Sequence, residues 1–73
     1  MSGLRKRSLA LAGHATSLAL EPEFWAALEA MARAKGLSLA AQIAALDRAR
    51  GSRSLASACR VAALVFTADR TAG

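Results

Sequence analysis

The first regular pattern of apolar and polar positions in the chain alternates with period two, as in a β-strand that is buried on one face. Over residues 14–20, Leu18 and Leu20 fall on one face, while Ser17 and Ala19 fall on the other. Alternation of this kind is typical of a half-buried strand. The pattern therefore predicts a short strand that ends just before the first helix.

A second alternating stretch precedes this strand but is out of phase with it. Leu9 and Leu11 share one side of residues 8–12, and the phase changes across Gly13. Because one continuous strand keeps one phase, we expect a bend, a bulge or an irregular segment at this glycine. We predict only one strand and assign residues 1–13 to a basic N-terminal arm.

The spacing of apolar residues then becomes helical. Pro22 suits the first turn of a helix, since its missing N–H would have no acceptor there. Apolar side chains recur three and four positions apart from Phe24 onward. Gly36 can end the helix in the left-handed conformation. We predict a first helix from about Pro22 to Lys35.

A second helix is predicted after the glycine turn. Ser38 can cap its N-terminus with the side-chain oxygen. The helix would end near Arg50, and Gln42 falls outside its apolar stripe. The stripe consists of Leu39, Ile43 and Leu46. The strand and the two helices together form a predicted core at residues 14–50.

A third, C-terminal helix is predicted over residues 51–66. Ser52 or Ser54 can start it by capping its first amides. Its predicted inward face carries Leu55, Ala58, Cys59, Ala62, Val65 and Phe66. Residues 67–73 show no pattern and are predicted to be a frayed tail.

The size of the chain limits how it can be stabilised. It has 73 residues, and 20 of its apolar side chains are alanine, so little apolar area is available for a core. Cys59 is the only cysteine and His14 the only histidine. An internal disulfide and a zinc site of ordinary ligand count are therefore excluded. Association of two copies is the remaining way to stabilise so small a chain, and we expect a homodimer.

The chain is basic, with a formal net charge of +5. One cluster of cations precedes every acidic residue and consists of Arg5, Lys6 and Arg7. A second group consists of Arg48, Arg50, Arg53 and Arg60. Such charge favours a polyanionic partner, either nucleic acid or an anionic membrane surface. A solvated basic surface without a partner is the alternative.

Several classes of protein do not fit this sequence. No apolar run approaches the roughly 18 residues of a membrane span, and the apolar stretch after Arg7 is too short for a secretory signal. We therefore expect a cytoplasmic protein. We expect neither an enzyme nor a cofactor, because the five carboxylates are scattered and no glycine-rich loop follows a strand.

The order of strand, helix, glycine turn and serine-capped helix resembles the ribbon-helix-helix plan of small bacterial repressors. The resemblance covers about residues 6–66. Within the family, the sequence is similar to a branch of short, stand-alone domains with an added C-terminal helix. Its motifs are Lys6-Arg7-Ser8, Gly13-His14, Thr16-Ser17, Leu20-Glu21-Pro22-Glu23-Phe24-Trp25, Gly36-Leu37-Ser38-Leu39 and Ala49-Arg50-Gly51.

The resemblance implies a mainly α fold, as an intertwined homodimer whose two strands form an antiparallel ribbon. Such a ribbon enters the major groove of double-stranded DNA. The outward, groove-facing positions of the match are Ala15, Ser17 and Ala19, and the inward positions are Thr16, Leu18 and Leu20. Ser38 and Leu39 resemble the phosphate anchor at a helix N-terminus. Arg5, Lys6 and Arg7 would contact phosphates from the arm.

The chain departs from this family at the outward positions, which usually carry long polar side chains. Ala15 and Ala19 offer only apolar contact to a thymine methyl, so Ser17 alone can hydrogen-bond to a base. The leading hypothesis is a dimeric DNA-binding protein that regulates transcription. The alternatives are an antitoxin-like or adaptor dimer that docks a protein partner through its C-terminal helix, and a binder of anionic membranes.

Overall fold

Two strands and then three helices follow one another along the chain in a computed structural model that describes residues 3–72. The elements are β1 (Arg5–Leu11), β2 (His14–Leu20), α1 (Pro22–Lys35), α2 (Leu39–Ala49) and α3 (Leu55–Ala72). The first two residues of the predicted arm and the last residue of the predicted tail lie outside the described residues. The element order matches the expected helices but adds a strand.

The two strands pair antiparallel in one hairpin, so the prediction of a single strand was wrong. Ala12 and Gly13 form the turn with φ angles of 51° and 87°, as in a two-residue type I′ loop. Across such a loop, odd-numbered residues of β1 face even-numbered residues of β2, as Leu9 faces Thr16. The change of phase at Gly13, which suggested a bend or an arm, is therefore what this hairpin requires.

The first two helices begin and end where the sequence predicts, because their boundaries depend on local chemistry. Gly36 ends α1 in the left-handed conformation with φ 68°, and the Leu37 N–H donates to the carbonyl of Ala32 at 2.8 Å. Ser38 caps α2, since its side-chain oxygen accepts a hydrogen bond from the N–H of Ala41 at 3.1 Å.

The third helix is longer than predicted. It begins at Leu55 rather than at residue 51, and Ser54, one of the two predicted caps, precedes it with its side-chain oxygen accepting a hydrogen bond from the N–H of Ser57 at 3.1 Å. The backbone then stays helical through Ala72, where the sequence pattern predicted a frayed tail from residue 67. Alanine and arginine are good helix formers, so the backbone continues although the apolar stripe ends.

The core lies between the inner face of the hairpin and the three helices. β1 packs on α2, β2 packs on α3, and α1 packs on both of the other helices. The buried cluster consists of Leu11, Leu18, Leu20, Trp25, Leu28, Met31, Ile43 and Cys59. Within this single chain, several of these side chains have no exposed surface at all, among them Leu20, Leu28 and Ile43.

Two helical side chains differ in burial from the prediction. Gln42 is only 1% exposed, because α2 is covered by α1, α3 and β1 together, which widens its buried face. Its Oε1 atom has no hydrogen-bond partner among the described residues. Val65, in contrast, is 53% exposed, since it lies at the margin of the inward stripe of α3.

Candidate nucleic-acid interface

The outer face of the hairpin is formed by every second residue of each strand. Three cross-strand pairs lie on it, and they are Lys6–Ala19, Ser8–Ser17 and Ala10–Ala15. All of these side chains are exposed except that of Ala19, which is half-buried. The face therefore has one cation, two hydroxyls, three methyl groups and no carboxylate.

The predicted outward orientation of Ala15, Ser17 and Ala19 agrees with this arrangement. Thr16 is half-buried, and Leu18 and Leu20 are buried on the other face, as expected for a strand with period two. The orientation follows from the sequence, whereas contact with DNA stays a prediction.

Ser8 is a candidate residue that the sequence did not reveal. It lies directly across from Ser17 in the pairing register, so the two side chains are neighbours on the outer face. Neither hydroxyl makes a hydrogen bond among residues 3–72. The only clue available in the sequence was the turn itself, because Ser8 faces outward only if the chain reverses at Ala12 and Gly13.

The basic run near the N-terminus is divided between the two faces of the hairpin. Lys6 lies on the outer face, exposed and without an ion pair among the residues that the structure describes. Arg5 and Arg7 lie on the inner side, opposite Leu20 and Leu18. The run is therefore part of a strand rather than a free arm, and its cations are divided between the two faces of the hairpin.

Arg7 is held by two contacts with α1. Its Nη1 atom lies 3.3 Å from Oε2 of Glu29, and its guanidinium carbon lies 4.8 Å from the centre of the Trp25 ring. Both ends of the ion pair are nearly half exposed, so the pair contributes little to stability. Its effect is to place the guanidinium at the edge of the hairpin rather than on its outer face.

Trp25 fixes the beginning of β1. The indole is buried at 4% exposure, and its Nε1–H donates a hydrogen bond to the carbonyl oxygen of Arg5 at 2.9 Å. An open groove of about 620 Å³ lies beside this contact, between β1 and α1. The sequence pattern does not show this role, because the indole and its acceptor are 20 positions apart.

The predicted phosphate anchor has the geometry of an ordinary helix start. Ser38 is exposed, and its hydroxyl oxygen is occupied by the N–H of Ala41. The first backbone bond within α2 runs from Gln42 to Ser38, so the N–H groups of Leu39 and Ala40 have no acceptor in the helix. The Leu39 side chain packs against the core, which leaves only its backbone N–H for an anion.

The second basic group is largely paired within the chain. Arg50 contacts Asp47 at 2.7 Å, and Arg60 contacts Glu21 at 3.0 Å. A hydrogen bond from its own backbone N–H, together with the Arg60 guanidinium, lowers the pKa of Glu21 below 4.5. The Arg60 contact joins α3 to the start of α1, whereas the Arg50 contact lies within the C-terminal end of α2.

The single cysteine of the chain lies in the core. The Cys59 thiol is fully buried, and burial raises its pKa to about 11, with a further contribution from Asp47. Within residues 3–72, no group of three metal-ligating side chains is found. In the same range, no helix is long and apolar enough to cross a membrane.

The hairpin, the glycine turn and the serine-capped helix define a small helical domain that carries a two-stranded ribbon. The family model described as "Ribbon-helix-helix domain" matches residues 4–66. The chain belongs to this family, whose members generally bind DNA and form dimers. No match to the chain is found among curated proteins or among solved structures.

Proposed function

We propose that the chain is a bacterial DNA-binding protein that acts in the cytoplasm as a dimer and regulates transcription, most simply as a repressor. The observation that carries this proposal is the outer face of the hairpin, which has Lys6, Ser8 and Ser17 but no acidic side chain. Polar groups without partners on an otherwise small-residue surface suit a ligand that supplies hydrogen-bond acceptors and donors.

The dimensions of the hairpin fit the major groove. Two paired strands lie about 4.8 Å apart, and the groove of B-form DNA is about 12 Å wide and admits a two-stranded ribbon. The serine hydroxyls can donate to or accept from base edges, and the methyl groups of Ala10 and Ala15 can contact thymine methyls. Small side chains also let the backbone approach the bases closely.

Affinity in this proposal comes mainly from the phosphates. Lys6 lies at the end of the outer face, where it can reach a backbone phosphate beside the groove. The N–H groups of Leu39 and Ala40 at the start of α2 support a second contact of the same kind. The net charge of +5 favours approach to DNA at any sequence, since phosphate contacts position a protein without specifying bases.

The test is the salt dependence of binding to duplex DNA, measured by fluorescence anisotropy. Log affinity should fall with log salt, and Lys6→Ala should reduce the slope by about 0.9 if the lysine neutralises one phosphate. Lys35→Ala is the matched control, because Lys35 is exposed in the last turn of α1 and should leave the slope unchanged. Absence of salt-dependent binding by the unaltered chain would contradict the function itself.

A protein-interaction module is the second candidate, favoured by one observation. The outward side of α3 exposes Val61, Leu64 and Val65, at 39%, 66% and 53% of their surfaces. An antitoxin-like or adaptor dimer would use such a face to dock a protein partner. In that case Leu64→Glu would abolish function in the cell, while Lys6→Ala would have no effect.

A further inference from the structure

We infer that the outward face of α3 binds the same face of α3 in a second copy of the chain, with the two helices antiparallel. This contact is separate from the shared ribbon that the family resemblance implies, so it joins copies in addition to that ribbon. It does not depend on DNA binding and goes beyond the proposed function. The residues of the outward face are Ser57, Val61, Leu64, Val65 and Ala68.

The third helix carries two apolar stripes on opposite sides. One stripe packs in the core and includes Cys59 and Ala63, at 0% and 1% exposure. The other lies about half a turn around the helix, at 3.6 residues per turn. Within the single chain, its members Val61, Leu64 and Val65 are 39%, 66% and 53% exposed. A helix that is apolar on two opposite sides is typical of one that is covered on both.

The outward face has the spacing of a seam between two helices. Its central members lie four, three and four positions apart, at residues 57, 61, 64 and 68. This alternation brings the side chains of two packed helices together turn after turn. In the antiparallel direction, Ser57 lies opposite Ala68, and Val61 lies opposite Leu64. The face is therefore complementary to its own copy, as a two-fold interface requires.

A groove beside this seam can receive one more side chain of the second copy. It has a volume of about 200 Å³, lies between α2 and α3, and is lined by Leu46, Ala58 and Ala62 together with Arg53. Val65 lies seven positions after Ala58, and therefore on the same flank of α3. In an antiparallel two-fold pair, equal flanks of the two helices meet. Val65 of the second copy would therefore lie against this groove.

Charges at the two ends of α3 favour a second copy over a different protein. Asp69 and Arg53 are both exposed, and neither makes an ion pair among residues 3–72. Asp69 lies seven positions after Ala62, on the flank of the groove that Arg53 also lines. Antiparallel pairing places Asp69 opposite residue 56, three positions from Arg53. Each copy thus supplies both halves of an ion pair that forms twice, whereas parallel helices would place Asp69 beside Asp69.

Sedimentation equilibrium tests whether this face joins two copies. At the same protein concentration, the unaltered chain should form a species with twice as many copies as Leu64→Glu, because the new carboxylate would be buried in the seam. Leu4→Glu is the matched control, since Leu4 is 60% exposed, against 66% for Leu64, and lies outside α3. It should assemble like the unaltered chain. Equal masses for the unaltered chain and Leu64→Glu would overturn the inference, and a different protein would then be the partner of this face.

An exchange of charges tests the direction of the pair. Arg53→Asp and Asp69→Arg should each weaken the association by roughly 3- to 30-fold, and the double variant R53D/D69R should restore it to within about threefold. Both substitutions suit the dipole of α3, with an acidic residue before its N-terminus and a basic one near its C-terminus. The fold should therefore be kept.

The two single variants control for net charge. Arg53→Asp lowers the positive charge of the chain and Asp69→Arg raises it, so simple repulsion between basic copies would change the association in opposite directions. A specific ion pair weakens in both variants. Failure of the double variant to recover, or no weakening by either single variant, would overturn the antiparallel pairing.

Discussion

The inner and outer faces of the hairpin are made by alternate residues of the same two strands, yet their surroundings differ. On the inner face, Leu18 and Leu20 are 5% and 0% exposed and pack in the core. On the outer face, Ser8 and Ser17 are exposed and make no side-chain hydrogen bond among residues 3–72. The inner face fixes the register, and that register determines which polar groups stand on the outer face.

The largest expected effect separates two adjacent residues of β2. Leu18→Ala should lower the free energy of unfolding by about 2–5 kcal/mol, because it leaves a cavity in the core. Ser17→Ala should change it by less than about 0.5 kcal/mol, since the serine faces solvent. Urea denaturation of the two variants measures both values.

The reverse result would show that the faces are exchanged. Because side chains alternate along a strand, a shift of one residue would place Ser17 in the core and Leu18 outside. Destabilisation by Ser17→Ala with tolerance of Leu18→Ala would therefore contradict the register and every residue assigned to the outer face.

The next effect concerns the attachment of β1 to α1. Trp25→Phe keeps an aromatic ring in the core but removes the indole N–H that donates to Arg5. The expected loss is about 1–2 kcal/mol, from the hydrogen bond and from the acceptor left without its partner. Hydrogen exchange should increase most at the amides of β1. Uniform exchange across all elements would mean that the indole stabilises the core without holding this strand.

A smaller effect, of opposite sign, is expected at the turn. Ala12 has a φ angle of 51°, which is unfavourable for any residue with a Cβ atom. Ala12→Gly should therefore raise the free energy of unfolding by up to about 1 kcal/mol, after the entropic cost of glycine is subtracted. Ala10→Gly is the matched control on the neighbouring strand and should be destabilising. If both substitutions destabilise equally, residues 12 and 13 do not form the type I′ turn.

The helices could be predicted from the sequence because their limits are set within a few residues. Pro22, Gly36 and Ser38 act on the backbone groups beside them, and each is found where it was expected. The hairpin was missed because its turn is Ala-Gly rather than the common Asn-Gly or Asp-Gly. The outward position of Ser17 followed from alternation alone, whereas Ser8 required the pairing of two strands.

Burial on the helices was harder to predict than their limits. Gln42 and Val65 both lie beside an apolar stripe, and the sequence does not say how many neighbours a helix has. Three elements cover α2 and bury Gln42, whereas the outward side of α3 is open and Val65 is exposed. Periodicity gives the direction of a stripe, but the width of the buried face is a property of the tertiary packing.

The smallest expected effect concerns Glu21, the residue that connects β2 to α1. Its carboxylate pairs with Arg60 of α3 at 3.0 Å, and a hydrogen bond from its own N–H together with Arg60 lowers its pKa from 4.5. A pKa that is lower in the folded state means that the ionised carboxylate stabilises folding above pH 4.5. This contribution is lost as the pH falls through the folded value.

Glu21→Gln should therefore lower the urea midpoint slightly at about pH 7, and the difference from the unaltered chain should disappear at about pH 3. The effect is small because the pair is more than a third exposed and screened by solvent. Glu23→Gln is the control, since Glu23 also lies at the start of α1 but makes no ion pair among residues 3–72. A difference that persists or grows at low pH would contradict a stabilising charge at Glu21. The junction would then be held by packing alone, with the Arg60 guanidinium lying 5.8 Å from the centre of the Phe24 ring.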